Sequence, residues 1–165
     1  MHSLQQFNRY DLQQARQAIA HCVAIAAWQS QLLARRPFRD TTELYRVASE
    51  LMANWGEEEL LSALDAHPRI GERPAGQSSE AEASRNEQAA VQESDAQSKE
   101  AIRLANQRYE QRFHRIFLIR AKGRSPQDIL TSLAQRLQLS DAEDIKVSVQ
   151  QLREITLLRL QEAIQ

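Results

Sequence analysis

A single cysteine, Cys22, among 165 residues leaves no partner for an internal disulfide and no thiolate cluster for a metal. That usage fits a reducing compartment. Glycine and proline number four each, far below the roughly 7% and 5% of average chains. Helices can therefore run long between the breakers at Pro37, Gly56, Pro68 to Gly76 and Gly123 to Pro126. No stretch of about 18 apolar residues exists to span a bilayer, and Met1-His2-Ser3-Leu4 lacks the basic and apolar regions of a signal peptide. The closing Ala-Ile-Gln is no peroxisomal tripeptide, so a cytoplasmic location is the expectation. Charge of one sign is lacking too: 21 Lys+Arg against 22 Asp+Glu leave a net charge of -1, and nothing global announces nucleic acid or an anionic membrane. With 42% hydrophobic and 26% charged residues the chain is expected to fold as a single domain over residues 1–165.

What is present is helical periodicity. Asp11 is placed to cap a helix carrying Leu12, Ala15, Ile19, Val23 and Ala26-Ala27, with Trp28 to Arg36 continuing or following it. Thr41 or Thr42 is expected to cap a helix with Leu44, Val47, Ala48, Leu51 and Met52 on one face, ended by Gly56. Glu57, Glu58 and Glu59 then open a helix that Pro68 stops, leaving His67 at its end. Residues 69–79 read as a loop, and a polar helical run is expected from about Glu80 to Phe117. Ser125 before Pro126 reads as an N-cap with proline at N1, and Asp141 begins a last helix. No alternating strand of useful length appears, so the class is all-α, a single-domain bundle of about seven or eight helices.

Three features bear chemistry. His67-Pro68-Arg69-Ile70-Gly71-Glu72 leaves an imidazole on a fixed corner, which suits a general acid or base; contact with the last helix carbonyls is the plainer alternative. Ser84, Glu87, Gln88 and Val91 occupy i, i+3, i+4 and i+7 on one helix face. That face is either solvated or folded back so that Glu87 orients His67 and raises its pKa. Arg159 sits in an apolar run on the face of Leu152 and Ile155, and so requires an internal acid or carbonyl, or a substrate carboxylate. No histidine has an i, i+4 metal partner, and no phosphate loop, nucleophile elbow or nucleotide fingerprint is present.

These motifs, with Arg36-Pro37-Phe38, Asn106-x-x-Tyr109, Phe113, Phe117-x-Ile119, Ile129-Leu130-x-x-Leu133, Arg136-Leu137, Glu154-Ile155 and Arg159-Leu160, resemble the family of 2-oxo-4-hydroxy-4-carboxy-5-ureidoimidazoline (OHCU) decarboxylases. The resemblance runs from about Phe7 to Leu160. It implies an all-α homodimer that converts OHCU to (S)-allantoin in urate degradation without metal or cofactor. Carried over by motif, His67 would be the catalytic acid/base with Glu87 as its partner. Arg159 would anchor the anionic substrate; Pro68, Ser84, Arg85, Asn86 and Gln88 would line the pocket, and the backbone of Ile119, Arg120, Ala121, Lys122 and Gly123 would bind ureido and ring carbonyl groups. Where members commonly carry a Phe-Gly-Phe-like segment, this chain has Phe113-His114-Arg115-Ile116-Phe117.

Two other classes compete. A nucleic-acid-binding module would use the basic 103–124 segment, and a noncatalytic adaptor would take a partner helix in a groove. Neither accounts for His67-Pro68 together with Ser84, Glu87 and Gln88.

Overall fold

Short polar side chains set where the helices of this protein begin. The computed structural model describes residues 1–72, 76 and 78–165; positions 73–75 and 77 of the expected 69–79 loop lie outside the described residues. Among the described residues there are ten helices: α1 (Leu4–Arg9), α2 (Leu12–Ile19), α3 (Ala26–Ala34), α4 (Thr41–Leu51), α5 (Glu57–Leu64), α6 (Ser79–Glu87), α7 (Ala89–Gln92), α8 (Ala96–Phe113), α9 (Pro126–Arg136) and α10 (Asp141–Ala163). Ser3, Asp11, Ser125 and Ser140 each accept from the backbone of the third helical residue, whose side chain returns the bond, so two orphan groups are satisfied at each start. Pro126 sits at N1 behind Ser125, as expected.

The all-α class holds, and the count rises from seven or eight to ten for local reasons. The six-residue α1 is too short to show periodicity. The expected helix through Ala27 breaks after Ile19, because carbonyls in the break are taken from outside: Val23 O accepts from Gln29 and His21 O from Arg159. Asp40, not Thr41 or Thr42, caps α4 by accepting from the Glu43 amide at 2.8 Å. That helix ends at Leu51, and Gly56 starts α5 instead of ending α4, its amide held by Glu59. The long polar run after Glu80 splits into α6, α7 and α8, with Gln88 as a shared cap and Asp95 capping α8 at 2.7 Å from Ser98 N. It ends at His114, whose φ of 56° is left-handed.

Two apolar cores result. One gathers Phe7, Trp28, Leu44, Leu60 and Leu160 from α1 to α5 and α10. The other gathers Val91, Ile102, Tyr109, Ile129 and Leu133 from α7, α8 and α9. Residues 117–121 lie on the seam, with Leu118 in the first core and Phe117, Ile119 and Ala121 in the second. That alternation is the period of two of an extended chain. The termini close the first core: His2 N donates to Ala163 O at 2.7 Å and Gln165 N to His2 O at 2.9 Å. Among the described residues no helix is long and apolar enough to cross a membrane.

Candidate active site

His67 is fixed by the end of α5. Its amide donates to Leu64 O at 3.0 Å, closing the last turn, and Pro68 prevents continuation. The side chain is 8% exposed, and its Nε2 is buried with no hydrogen-bond partner. Burial, followed by the charge of Arg159, pushes the imidazole down to about 3, so the ring is neutral at pH 7. An orphaned basic nitrogen in a dry site is costly unless something else comes to meet it.

The row Glu80, Ser84, Glu87 on α6, spaced i, i+4, i+7, faces Arg159 from α10. Arg159 is 2% exposed and fully engaged. Its Nε and Nη2 meet the Glu87 carboxylate at 3.0 and 2.7 Å; Nη1 donates to His21 O at 2.8 Å and Nη2 to Ser84 Oγ at 3.2 Å. Glu80 Oε1 lies 3.7 Å from Nη1, buried and without a hydrogen bond. Burial raises the Glu80 carboxyl above its ordinary value, against the lowering pull of Arg159.

The expected His67–Glu87 pair, with its raised imidazole pKa, does not form. A planar guanidinium meets a carboxylate with two parallel bonds where a neutral ring offers one, so Glu87 goes to Arg159. Burial, and after it the charge of Arg159, lower the imidazole pKa instead.

His67, Ser84, Glu87 and Arg159 enclose, with Pro68, Gln88, Ile119, Ala121 and Ile155, a cavity of about 20 Å³, room for roughly one water. His67, Pro68 and Ser84 also wall a cleft of about 390 Å³ that is lined by Asp65, Glu72 and Glu80. Gln88 ties the loop to this wall, its Oε1 accepting from Gly71 N at 3.0 Å, while Asn106 holds Ile70 O at 2.7 Å. Gly71 has φ 90°, a turn that favours glycine.

Of the other expected site residues, Ile119 and Ala121 line the cavity and Arg120, Lys122 and Gly123 do not. The Arg120 amide is spent on Gln151 Oε1 at 3.0 Å, and Lys122 turns outward to Glu162. Arg85 reaches Gly76 O, and Asn86 lies on the far side of α6 in a cleft with His21 and Glu82. Glu80 and Ile155 were not among the expected site residues, although Ile155 was placed on the face of Arg159; the i, i+4, i+7 row ending at Glu87 was the available signal for Glu80.

Most bases of the 103–124 segment have partners within the chain, although Arg103, Arg108, Arg112 and Lys122 are exposed. Arg103 pairs with Glu100, Arg115 with Asp141 and Asp144, Arg120 with Glu154, and Arg112 donates to Leu139 O. Among the described residues no three of His, Cys, Asp and Glu are grouped to hold a metal.

A family model described as OHCU decarboxylase matches residues 8–161. The chain is 28% identical over 164 residues to a 2-oxo-4-hydroxy-4-carboxy-5-ureidoimidazoline decarboxylase of Haloferax volcanii, covering 97% of this chain and 95% of that protein. It is 24% identical over 127 residues to a uric acid degradation bifunctional protein of Bacillus sp. strain TB-90, covering 77% of this chain and 25% of that protein. Its fold matches a crystal structure of OHCU decarboxylase in the presence of (S)-allantoin with a TM-score of 0.72 at 21% identity, over 88% of this chain and 96% of that one.

Proposed function

The chain belongs to the OHCU decarboxylase family, and we propose on that premise that it converts OHCU to (S)-allantoin in urate degradation with His67 as its proton-transfer group. One observation carries the residue assignment: a buried imidazole kept neutral, with an unpartnered Nε2, in the same cavity as a buried guanidinium.

The substrate bears a carboxylate and a hydroxyl on a carbon next to a ring imine. When carbon dioxide leaves, its electron pair moves into the imine, which takes a proton at nitrogen. The ring is thus its own electron sink, and no external one is required. The hydroxyl then gives up its proton to become the product carbonyl, and the neighbouring carbon gains a proton on one face. Overall one proton is consumed. A neutral His67 accepts the hydroxyl proton and returns it to carbon. Arg159 takes the substrate carboxylate in exchange for Glu87, and the released Glu87 carboxylate stabilises the imidazolium formed in transit. Glu80, already 3.7 Å from Arg159, remains beside the guanidinium during that exchange.

Ile119 and Ala121 line the cavity, and among the described residues the amide and carbonyl of Ile119 and the amide of Ala121 have no hydrogen-bond partner. Buried backbone groups of that kind suit the ureido and ring amide groups of the substrate. Pro68, Ser84 and Gln88 shape the opposite wall. A cytoplasmic homodimer without nucleic-acid partners completes the proposal.

The test is chiral detection of allantoin after adding the protein to freshly generated OHCU, set against spontaneous decay. Faster loss of OHCU with one early enantiomer is expected. A rate equal to spontaneous decay, or a racemic product from the first seconds, would overturn the reading.

A further inference from the structure

Among the described residues the cavity wall made by 117–121 has no neighbouring strand, yet its backbone is held in a fixed register. Two side chains hold it from behind. Arg136 Nη1 donates to Leu118 O at 3.1 Å, and Gln151 Oε1 accepts from Arg120 N at 3.0 Å. Arg124 Nε adds a bond to Arg120 O at 2.7 Å. In extended backbone, successive residues turn their polar groups to opposite sides. The groups of Leu118 and Arg120 that face the scaffold are therefore consumed, and those of Ile119 fall on the other side, toward the cavity.

Both pegs are themselves braced. Arg136 is 4% exposed, with Nε on Asp144 Oδ1 and Nη2 on Ser148 Oγ, each at 2.5 Å. Gln151 is half-buried on α10, and its Nε2 donates to Glu154 Oε2 at 3.0 Å. Glu154 in turn takes Arg120 Nε at 3.1 Å, so one short cluster grips both the amide and the side chain of Arg120.

We propose that Gln151 and Arg136 are positioning residues, which set the register of 118–120 so that the amide and carbonyl of Ile119 and the amide of Ala121 are presented to an amide-bearing substrate. The role rests on the chain being an OHCU decarboxylase. Neither residue touches the cavity, and their effect passes through the bonds to Arg120 N and Leu118 O. The contacts they arrange concern parts of the substrate away from the bond that breaks, so their loss weakens substrate binding without slowing the chemical step.

Gln151→Met keeps the length of the side chain and removes the acceptor. With freshly generated OHCU, Gln151→Met is expected to raise KM about ten-fold with kcat within about two-fold. Wild-type KM in Gln151→Met would overturn the proposal, whatever its melting temperature. If Gln151→Met does not fold, amide exchange in the wild-type protein decides. The Arg120 amide should exchange at least ~10-fold more slowly than that of Ala121, and added (S)-allantoin should narrow the gap; equal rates in the free protein would overturn it. A wild-type protein that leaves OHCU untouched would sink the functional reading instead, and the exchange experiment would still judge the Gln151 peg.

Discussion

Asp144 and Glu87 are each held by a buried arginine, Arg136 and Arg159, yet the two clusters differ in what they leave over. Asp144 is 0% exposed; Oδ1 accepts from Arg136, and Oδ2 from Arg115 and the Tyr109 hydroxyl. Its leftover group is one guanidinium donor, Arg115 Nε, on a side chain lying 5.0 Å from the Phe113 ring centroid. The Arg159 cluster instead leaves an imidazole nitrogen and a carboxylate oxygen bare, at His67 and Glu80, on the walls of cavities. A satisfied buried network fixes structure, and one that keeps titratable atoms unpaired is held ready for a ligand. The contrast predicts that damage to one cluster appears in stability and damage to the other in rate.

The sharpest break would come from His67→Ala. It should lower the rate of OHCU turnover by about 10²- to 10⁴-fold while leaving far-UV circular dichroism and the urea midpoint near wild type. A variant with wild-type turnover would remove His67 from the mechanism. Asp144→Asn should do the reverse. Buried Arg136 loses its carboxylate partner and Arg115 keeps only the exposed Asp141, and a loss of about 3–5 kcal/mol in urea unfolding is expected, with turnover per folded molecule changed far less than by His67→Ala. A stable, slow Asp144→Asn enzyme would abolish the distinction between the clusters.

Arg159→Lys tests the boundary between them. Charge is kept and the two-bonded fork is lost, so KM should rise about 10- to 100-fold with a smaller change in kcat. Altered melting with unaltered kinetics would move Arg159 to the structural side.

Acid titration distinguishes the clusters by proton uptake. His67 is held at about 3 in the fold, and an unfolded imidazole titrates near 6.5, so between these values the unfolded chain binds the extra proton. Proton uptake therefore adds no cost to its burial well above pH 6.5, and stability falls by about 1.4 kcal/mol per pH unit as the pH drops below it. His21, also lowered by burial, adds to the fall, and Glu80, raised by burial, opposes it above pH 4.5. Urea unfolding between pH 6 and 5 should show a slope shallower by about 1.4 kcal/mol per unit in His67→Ala than in wild type. Parallel slopes would mean that the folded imidazole takes up its proton as freely as the unfolded one.

Helix starts at Asp11 and Ser125 were legible because a cap is a contact within four residues. The breaks at 20–25 and at Gln88 were not, since they depend on Arg159 reaching His21 O and Gln88 reaching the Gly71 amide. The same holds at the site. His67, Ser84, Glu87 and Arg159 were read as one group through their resemblance to a family, but which base receives Glu87 is decided by the approach of α10, which no local spacing records. Gln151 carries no signature at all and Arg136 was read only within a family motif, with no role, because the bonds that matter here go to backbone atoms of another segment.

The smallest expected effect lies where α8 hands the chain to the Asp144 cluster. His114 adopts φ 56° and ψ 35°, left-handed backbone that costs a residue with a Cβ about 1–2 kcal/mol. Its side chain is exposed, and its amide caps the helix by donating to Glu110 O at 2.9 Å, a bond any residue can make. The turn serves its neighbour, since it aims Arg115 at Asp141 and Asp144. Glycine would keep the same turn without the steric cost, but it has more freedom to lose on folding, by about 0.5–1 kcal/mol. His114→Gly should therefore stabilise the protein by roughly 0.5–1 kcal/mol in urea unfolding, with turnover unchanged because neither His67 nor Arg159 is disturbed. A loss of stability would show that the His114 ring contributes more than the turn costs. A change in KM would show that the aim of this turn reaches the 117–121 wall, and that the two clusters are coupled through it.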